Sequence, residues 1–88
     1  MKTAIRKSFT RDLKKMKDQA VLARVRRVIE EVERATDLQG IGNLKKIGGT
    51  DAFYRIRTGE WRIGIAVEED TVEFVRCLPR RDLYRFFP

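Results

Sequence analysis

The chain reads as one α+β domain, with two N-terminal helices packed on one face of a largely antiparallel sheet of three to four strands and a short helical turn at the C-terminus. Three observations predict this. Apolar residues recur at three- and four-residue spacing through the first part of the chain, at Phe9, Leu13 and Met16 and again at Leu22, Val25, Ile29 and Val32. From Ala52 onward the period of the pattern drops to two, which indicates strands. The 88 residues contain no internal repeat, low-complexity stretch or linker, so a single domain spans 1–88.

The elements follow in order. Ile5 and its neighbours predict a short first strand. Ser8 and Thr10 then offer N-cap oxygens to a first helix that carries Lys14, Lys15 and Lys17 on its outside. Asp18 predicts the cap of a second helix of about 17 residues, whose apolar stripe includes Val21, Val28 and Ala35 and whose other face is charged. Thr36 to Asn43 is loop by its Gly, Asp and Asn content. Gly40-Ile41-Gly42 within it lacks the third glycine and the preceding strand of a dinucleotide fingerprint.

Three antiparallel strands are expected at about 52–58, 60–67 and 71–78, joined by turns at Thr58-Gly59 and Glu69-Asp70. A tight first turn pairs Ile56 with Trp61, Tyr54 with Ile63 and Ala52 with Ile65, all suited to a core face. The second hairpin pairs Val67 with Val72 and Ile65 with Phe74, because a longer turn would send Glu73 into the core. Pro79 ends the last strand, and Leu83 with Phe86 or Phe87 anchors the final helical turn.

Composition bounds the chemistry. There is no histidine, which excludes a Ser-His-Asp triad, a Cys-His dyad, a His-ligated zinc site and any imidazole base. Cys77 stands alone and has no internal disulfide partner, and no segment has the apolar length of a signal peptide or membrane span. A cytoplasmic domain with no membrane contact is expected. A chain this short buries only about 60–65% of the surface its unfolded form exposes, so modest stability is expected.

The net charge of +7 suggests a polyanionic partner. Its excess lies in the N-terminal half, yet every cation after Lys46 is an arginine. The guanidinium fork suits bidentate phosphate binding, whereas lysine acts as a flexible point charge. In the expected register Arg55 stands opposite Arg62 on the face away from the core, with Arg57 beside them and facing Glu60. Like charges across a rung are destabilising. Exposed arginines can splay their heads into water, but an anion lying on that face accounts better for the cluster. Arg80, Arg81 and Tyr84 fall near the same end of the sheet.

Four segments carry a resemblance that covers nearly the whole chain: Phe9-Thr10-Arg11-Asp12-Leu13-Lys14-Lys15-Met16, Asn43-Leu44-Lys45-Lys46-Ile47, Tyr54-Arg55-Ile56-Arg57-Thr58-Gly59-Glu60-Trp61-Arg62-Ile63 and Arg80-Arg81-Asp82-Leu83-Tyr84-Arg85. In order and spacing they resemble the RelE/ParE toxin superfamily. Similarity to its RelE branch implies a toxin of a type II toxin–antitoxin system, held by a cognate antitoxin, that cuts mRNA on the ribosome with no metal and no small-molecule cofactor. Position by position, the resemblance implies Arg62 at the scissile phosphate, Arg80 near the leaving group, Arg57 and Tyr84 completing the catalytic set, and Arg55, Arg81, Lys45 and Lys46 as phosphate contacts. The antitoxin would contact the helical hairpin and the Phe86-Phe87 region.

Two positions depart from the family pattern. Arg57 stands where some relatives carry lysine as a candidate base, and a guanidinium is a poor proton acceptor. Leu78-Pro79 replaces the Gly-His found before the arginine in many relatives. Two other functions stay open at this point: a ParE-like poison of DNA gyrase, and a non-catalytic module that binds nucleic acid or protein.

Overall fold

The structure is a computed structural model that describes residues 1–48 and 51–88. The element order is β1 (Lys2–Ile5), α1 (Lys7–Lys15), α2 (Gln19–Arg34), a 3-10 turn (Leu38–Gly40), β2 (Leu44–Lys46), β3 (Phe53–Thr58), β4 (Trp61–Glu68), β5 (Thr71–Pro79) and α3 (Arg80–Phe86). The strands form one mixed sheet in the order β1-β5-β4-β3-β2, antiparallel throughout except for the parallel β1–β5 pair. The α+β architecture is the predicted one. Its sheet holds five strands because Leu44–Lys46, too short for a period-two pattern to register, adds to the edge of β3.

The two N-terminal helices cover one face of the sheet. Phe9, Met16, Val21, Val25 and Val32 pack on Ile56, Ile63, Ile65, Val72, Phe74 and Cys77, with the Phe9 and Phe74 rings 5.4 Å apart at their centroids. Asp18 caps α2 as expected, its carboxylate accepting the amides of Ala20 and Val21. The cap of α1 differs. Its N-cap is Arg6, which makes no side-chain cap bond, while Ser8 Oγ donates instead to the Val75 carbonyl at 2.6 Å and ties the helix to β5. Asp12 strengthens that tie by accepting from Arg76 Nε at 2.8 Å, Arg76 Nη2 at 3.1 Å and the Cys77 amide at 2.9 Å.

The turn of the first hairpin falls one residue further along than the sequence pattern suggests, which shifts each strand partner by two. Thr58 pairs with Trp61, Arg57 with Arg62, Ile56 with Ile63 and Tyr54 with Ile65, so the turn is Gly59-Glu60. A shift of this kind keeps every side chain on its face, so hydrophobic patterning cannot choose between the two registers. Turn chemistry can: Gly59 takes φ +61° at the first central position, where the β-branched Thr58 would be strained. The second hairpin has the expected pairs Val67–Val72 and Ile65–Phe74, then a bulge between Gly64 and Ile65 shifts the rest of β5.

The other face of the sheet carries a second, smaller core. Leu83 and Phe87 are buried there with Ile47, against Phe53, Val75 and Leu78, whereas Phe86 is exposed. Phe87 lies over Gly64 so closely that a Cβ on that glycine would stand 2.8 Å from the ring.

Burial also sets the behaviour of Cys77. Desolvation, with the Asp12 carboxylate adding to it, pushes the thiol up from its ordinary 9.0 to about 12. The neutral thiol is therefore favoured in the folded state. Its contribution to stability is complete below pH 9 and is lost as pH rises toward 12. Iodoacetamide at pH 8 is expected to leave the folded protein unlabelled and to label it in urea, as mass spectrometry will show.

Candidate functional site

The open end of the sheet is built by three chain segments that meet at one cleft. Strands β3 and β4 bring Arg57 and Arg62 directly across a rung. Pro79 ends β5, and the first amide of α3, that of Arg80, donates to the Glu60 carbonyl at 2.8 Å. That bond fixes the start of α3 beside the β3–β4 turn. The third segment is the loop before β2, where Asn43 takes φ 59°, a conformation its short polar side chain tolerates. The Asn43 carbonyl then accepts the Arg57 amide at 3.1 Å and Arg55 Nη1 at 2.7 Å. The resulting cleft is about 500 Å³, lined by Arg57, Arg62 and Arg80 and, among others, by Glu31, Asn43 and Glu60.

Arg62 is the electrostatic centre of this arrangement. The residue is only 8% exposed, and its guanidinium donates to the carbonyls of Gly59 at 2.8 Å and Trp61 at 3.0 Å. Among the described residues no carboxylate pairs with it. Burial holds its guanidinium below the usual arginine range, and Arg55, Arg80 and Arg57 push the same way, with Tyr84 opposing them. A buried cation ringed by cations is costly in an empty cleft and favourable once an anion enters.

The sequence-predicted residues divide clearly. Arg57, Arg62 and Arg80 share the cleft. Arg55, whose Nε is buried and without a partner among the described residues, and the exposed Tyr84 act on Arg62 electrostatically. Arg81 lies in the adjoining depression with Arg80, Glu60 and Pro79. Lys45 pairs with Arg55 across β2–β3 and shares its face. Lys46 does not join them: it alternates to the other face and forms an ion pair with Asp51, which favours its charged form.

Sequence reasoning passed over Glu31 and Asn43, which lie outside the strand pattern. Asn43 belongs to the loop that Gly and Asn content marked, and Glu31 sat among the charges of the outer face of α2. Among the described residues no three Asp, Glu, Cys or His side chains group as a metal site would require. No helix among them is long and apolar enough to cross a membrane.

A family model described as "ParE toxin of type II toxin-antitoxin system, parDE" matches residues 4–84. The chain belongs to the RelE/ParE superfamily of type II toxin–antitoxin toxins. Within the superfamily it is 39% identical over 89 residues to Toxin RelE3 of Methanocaldococcus jannaschii, an alignment that covers 100% of both chains. The same likeness extends to structure. A chain of the RelB-RelE antitoxin-toxin complex from Methanococcus jannaschii superposes with a TM-score of 0.79 at 38% identity, covering 97% of this chain and 99% of that one. A chain of the archaeal RelE-RelB complex from Pyrococcus horikoshii OT3 superposes at 0.72 with 20% identity, covering 90% and 93% of the two chains, which shows the shared toxin fold.

Proposed function

We propose that this RelE-type toxin is an endoribonuclease that cuts mRNA on the ribosome and so arrests translation. The observation that carries the reading is the buried, carboxylate-free Arg62 at the meeting point of Arg55, Arg57 and Arg80. Cleavage by attack of a ribose 2′-OH on the adjacent phosphate builds charge on the non-bridging oxygens and on the 5′ leaving oxygen. Fixed cations in a poorly hydrated cleft stabilise that charge.

In this reading Arg62 and Arg55 hold the phosphate and Arg80 faces the leaving oxygen. Arg57 orients the 2′-OH, while Tyr84 places the nucleotide. Arg81 and Lys45 extend the phosphate contacts along the same face. The ribosome supplies part of the positioning, since the chain brings no residue that titrates near neutrality unperturbed.

A cognate antitoxin is the second proposed partner, supported by the RelB–RelE complexes in which the structural relatives were solved. The charge of +7 would speed capture by an acidic antitoxin, and binding would stabilise the folded toxin by mass action.

The match to a ParE model supports a competing reading, poisoning of DNA gyrase. The full-length likeness to a RelE toxin favours RNA cleavage. Inducible expression separates them. Growth arrest with new 5′ ends in translated mRNA is expected; an SOS response with intact mRNA would overturn the ribonuclease reading in favour of gyrase. Arrest with neither would point to a binding module.

A further inference from the structure

Arginines can hold a phosphate, but they do not readily remove the proton from the attacking 2′-OH, because a guanidinium stays protonated at any ordinary pH. The chain has no histidine to do it. Two carboxylates line the arginine cleft, Glu31 from α2 and Glu60 from the β3–β4 turn. They are held differently. Both residues are exposed, but at Glu60 the fixed group is the backbone carbonyl, which accepts the Arg80 amide, and no hydrogen bond among the described residues holds its carboxylate. At Glu31 the fixed group is the carboxylate itself.

Glu31 Oε1 accepts the Gly42 amide at 2.9 Å. The next residue along, Asn43, offers the carbonyl that receives Arg55 Nη1 and the Arg57 amide. Two consecutive residues thus connect the carboxylate to the arginine strand, and consecutive Cα atoms lie about 3.8 Å apart. Gly42 is also suited to the contact, since a Cβ there would stand 3.3 Å from Glu31 Oε1. The second oxygen, Oε2, makes no hydrogen bond among the described residues and keeps its lone pairs for a donor in the cleft.

We propose that Glu31 is the general base of the cleavage, an inference that rests on the ribonuclease reading above. The 2′-hydroxyl proton passes to Glu31 Oε2 as the O2′–P bond forms. The P–O5′ bond breaks, and the 5′ oxygen takes a proton from water. The products are a 2′,3′-cyclic phosphate and a 5′-hydroxyl end, and Glu31 returns its proton to solvent. The charged groups that share the cleft with it are Arg57 on β3, Glu60 in the turn, Arg62 on β4 and Arg80 on α3.

The test is single-turnover cleavage of a defined mRNA on programmed ribosomes by wild type, Glu31→Gln and Glu60→Gln over a range of toxin concentrations. The amide of Glu31→Gln can still accept the Gly42 N–H, so the loop anchor is kept while the base is lost. Glu31→Gln is expected to lower the cleavage rate constant about 10²- to 10⁴-fold and to leave the apparent KM and the melting temperature unchanged, while Glu60→Gln lowers the rate far less. Cleavage at the wild-type rate by Glu31→Gln, a raised KM with an unchanged rate, or a rate loss of that size in Glu60→Gln instead would overturn the assignment. Wild type that yields no cyclic-phosphate end would overturn the ribonuclease reading itself, and Glu31 as its base with it.

Discussion

Arg62→Met is expected to remove toxicity and to leave the fold as stable as before, or more stable. The two halves of this result have one cause. The guanidinium is buried, faces Arg55, Arg57 and Arg80, and has no carboxylate partner among the described residues. In the free protein it contributes repulsion and desolvation, offset in part by its bonds to the Gly59 and Trp61 carbonyls. Methionine keeps the apolar stem and removes the charge. Stability should hold or rise, while loss of the phosphate-binding cation costs on the order of 10² to 10³ in cleavage rate. Thermal melting and single-turnover cleavage of the same preparation check both halves. A large drop in melting temperature would make Arg62 a structural residue instead.

Leu83→Ala is expected to have the largest effect on stability. Leu83 is fully buried in the second core, where among the described residues only Ile47 and Phe87 are comparably enclosed. A small cluster has few neighbours able to close over a cavity, so a loss of about 2–5 kcal/mol is expected, read by urea unfolding. Activity should fall as well. Leu83 and Phe87 seat α3 on the sheet, and α3 begins at Arg80 and carries Arg81 and Tyr84. The consequence is a rise in both unfolding and substrate requirement. Phe86→Ala, which removes an exposed ring from the same helix, should leave stability within about 0.5 kcal/mol.

What the sequence revealed and what it hid follow from the range of the interactions involved. The helix stripe from Val21 to Val32, the Asp18 cap and the second hairpin as far as the Ile65–Phe74 pair rest on local periodicity and local hydrogen bonds, and each was legible in the sequence. The first hairpin was legible as a hairpin but not in its register. Patterning fixes faces, and only the steric preference of Gly59 over Thr58 for positive φ decides which rung Arg62 occupies. That decision moves Arg57, not Arg55, directly opposite Arg62.

Strand β2 was hidden because three residues are too few for a period-two pattern to register, and only the pairing with β3 reveals it. Lys45 and Lys46 looked equivalent as neighbours until that pairing placed them on opposite faces. Glu31 was hidden for a similar reason. On a helical wheel it is one more outer charge, and only the return of the loop at Gly42 brings it to the cleft.

The central claim is that this cleft cuts mRNA, and its most direct measurement is 5′-end mapping by primer extension in a reconstituted translation reaction with a single defined message. New 5′ ends within the translated frame, absent when initiation is blocked and absent with Arg62→Met, are the expected outcome. A full-length message in the presence of protein that still arrests growth would contradict the claim.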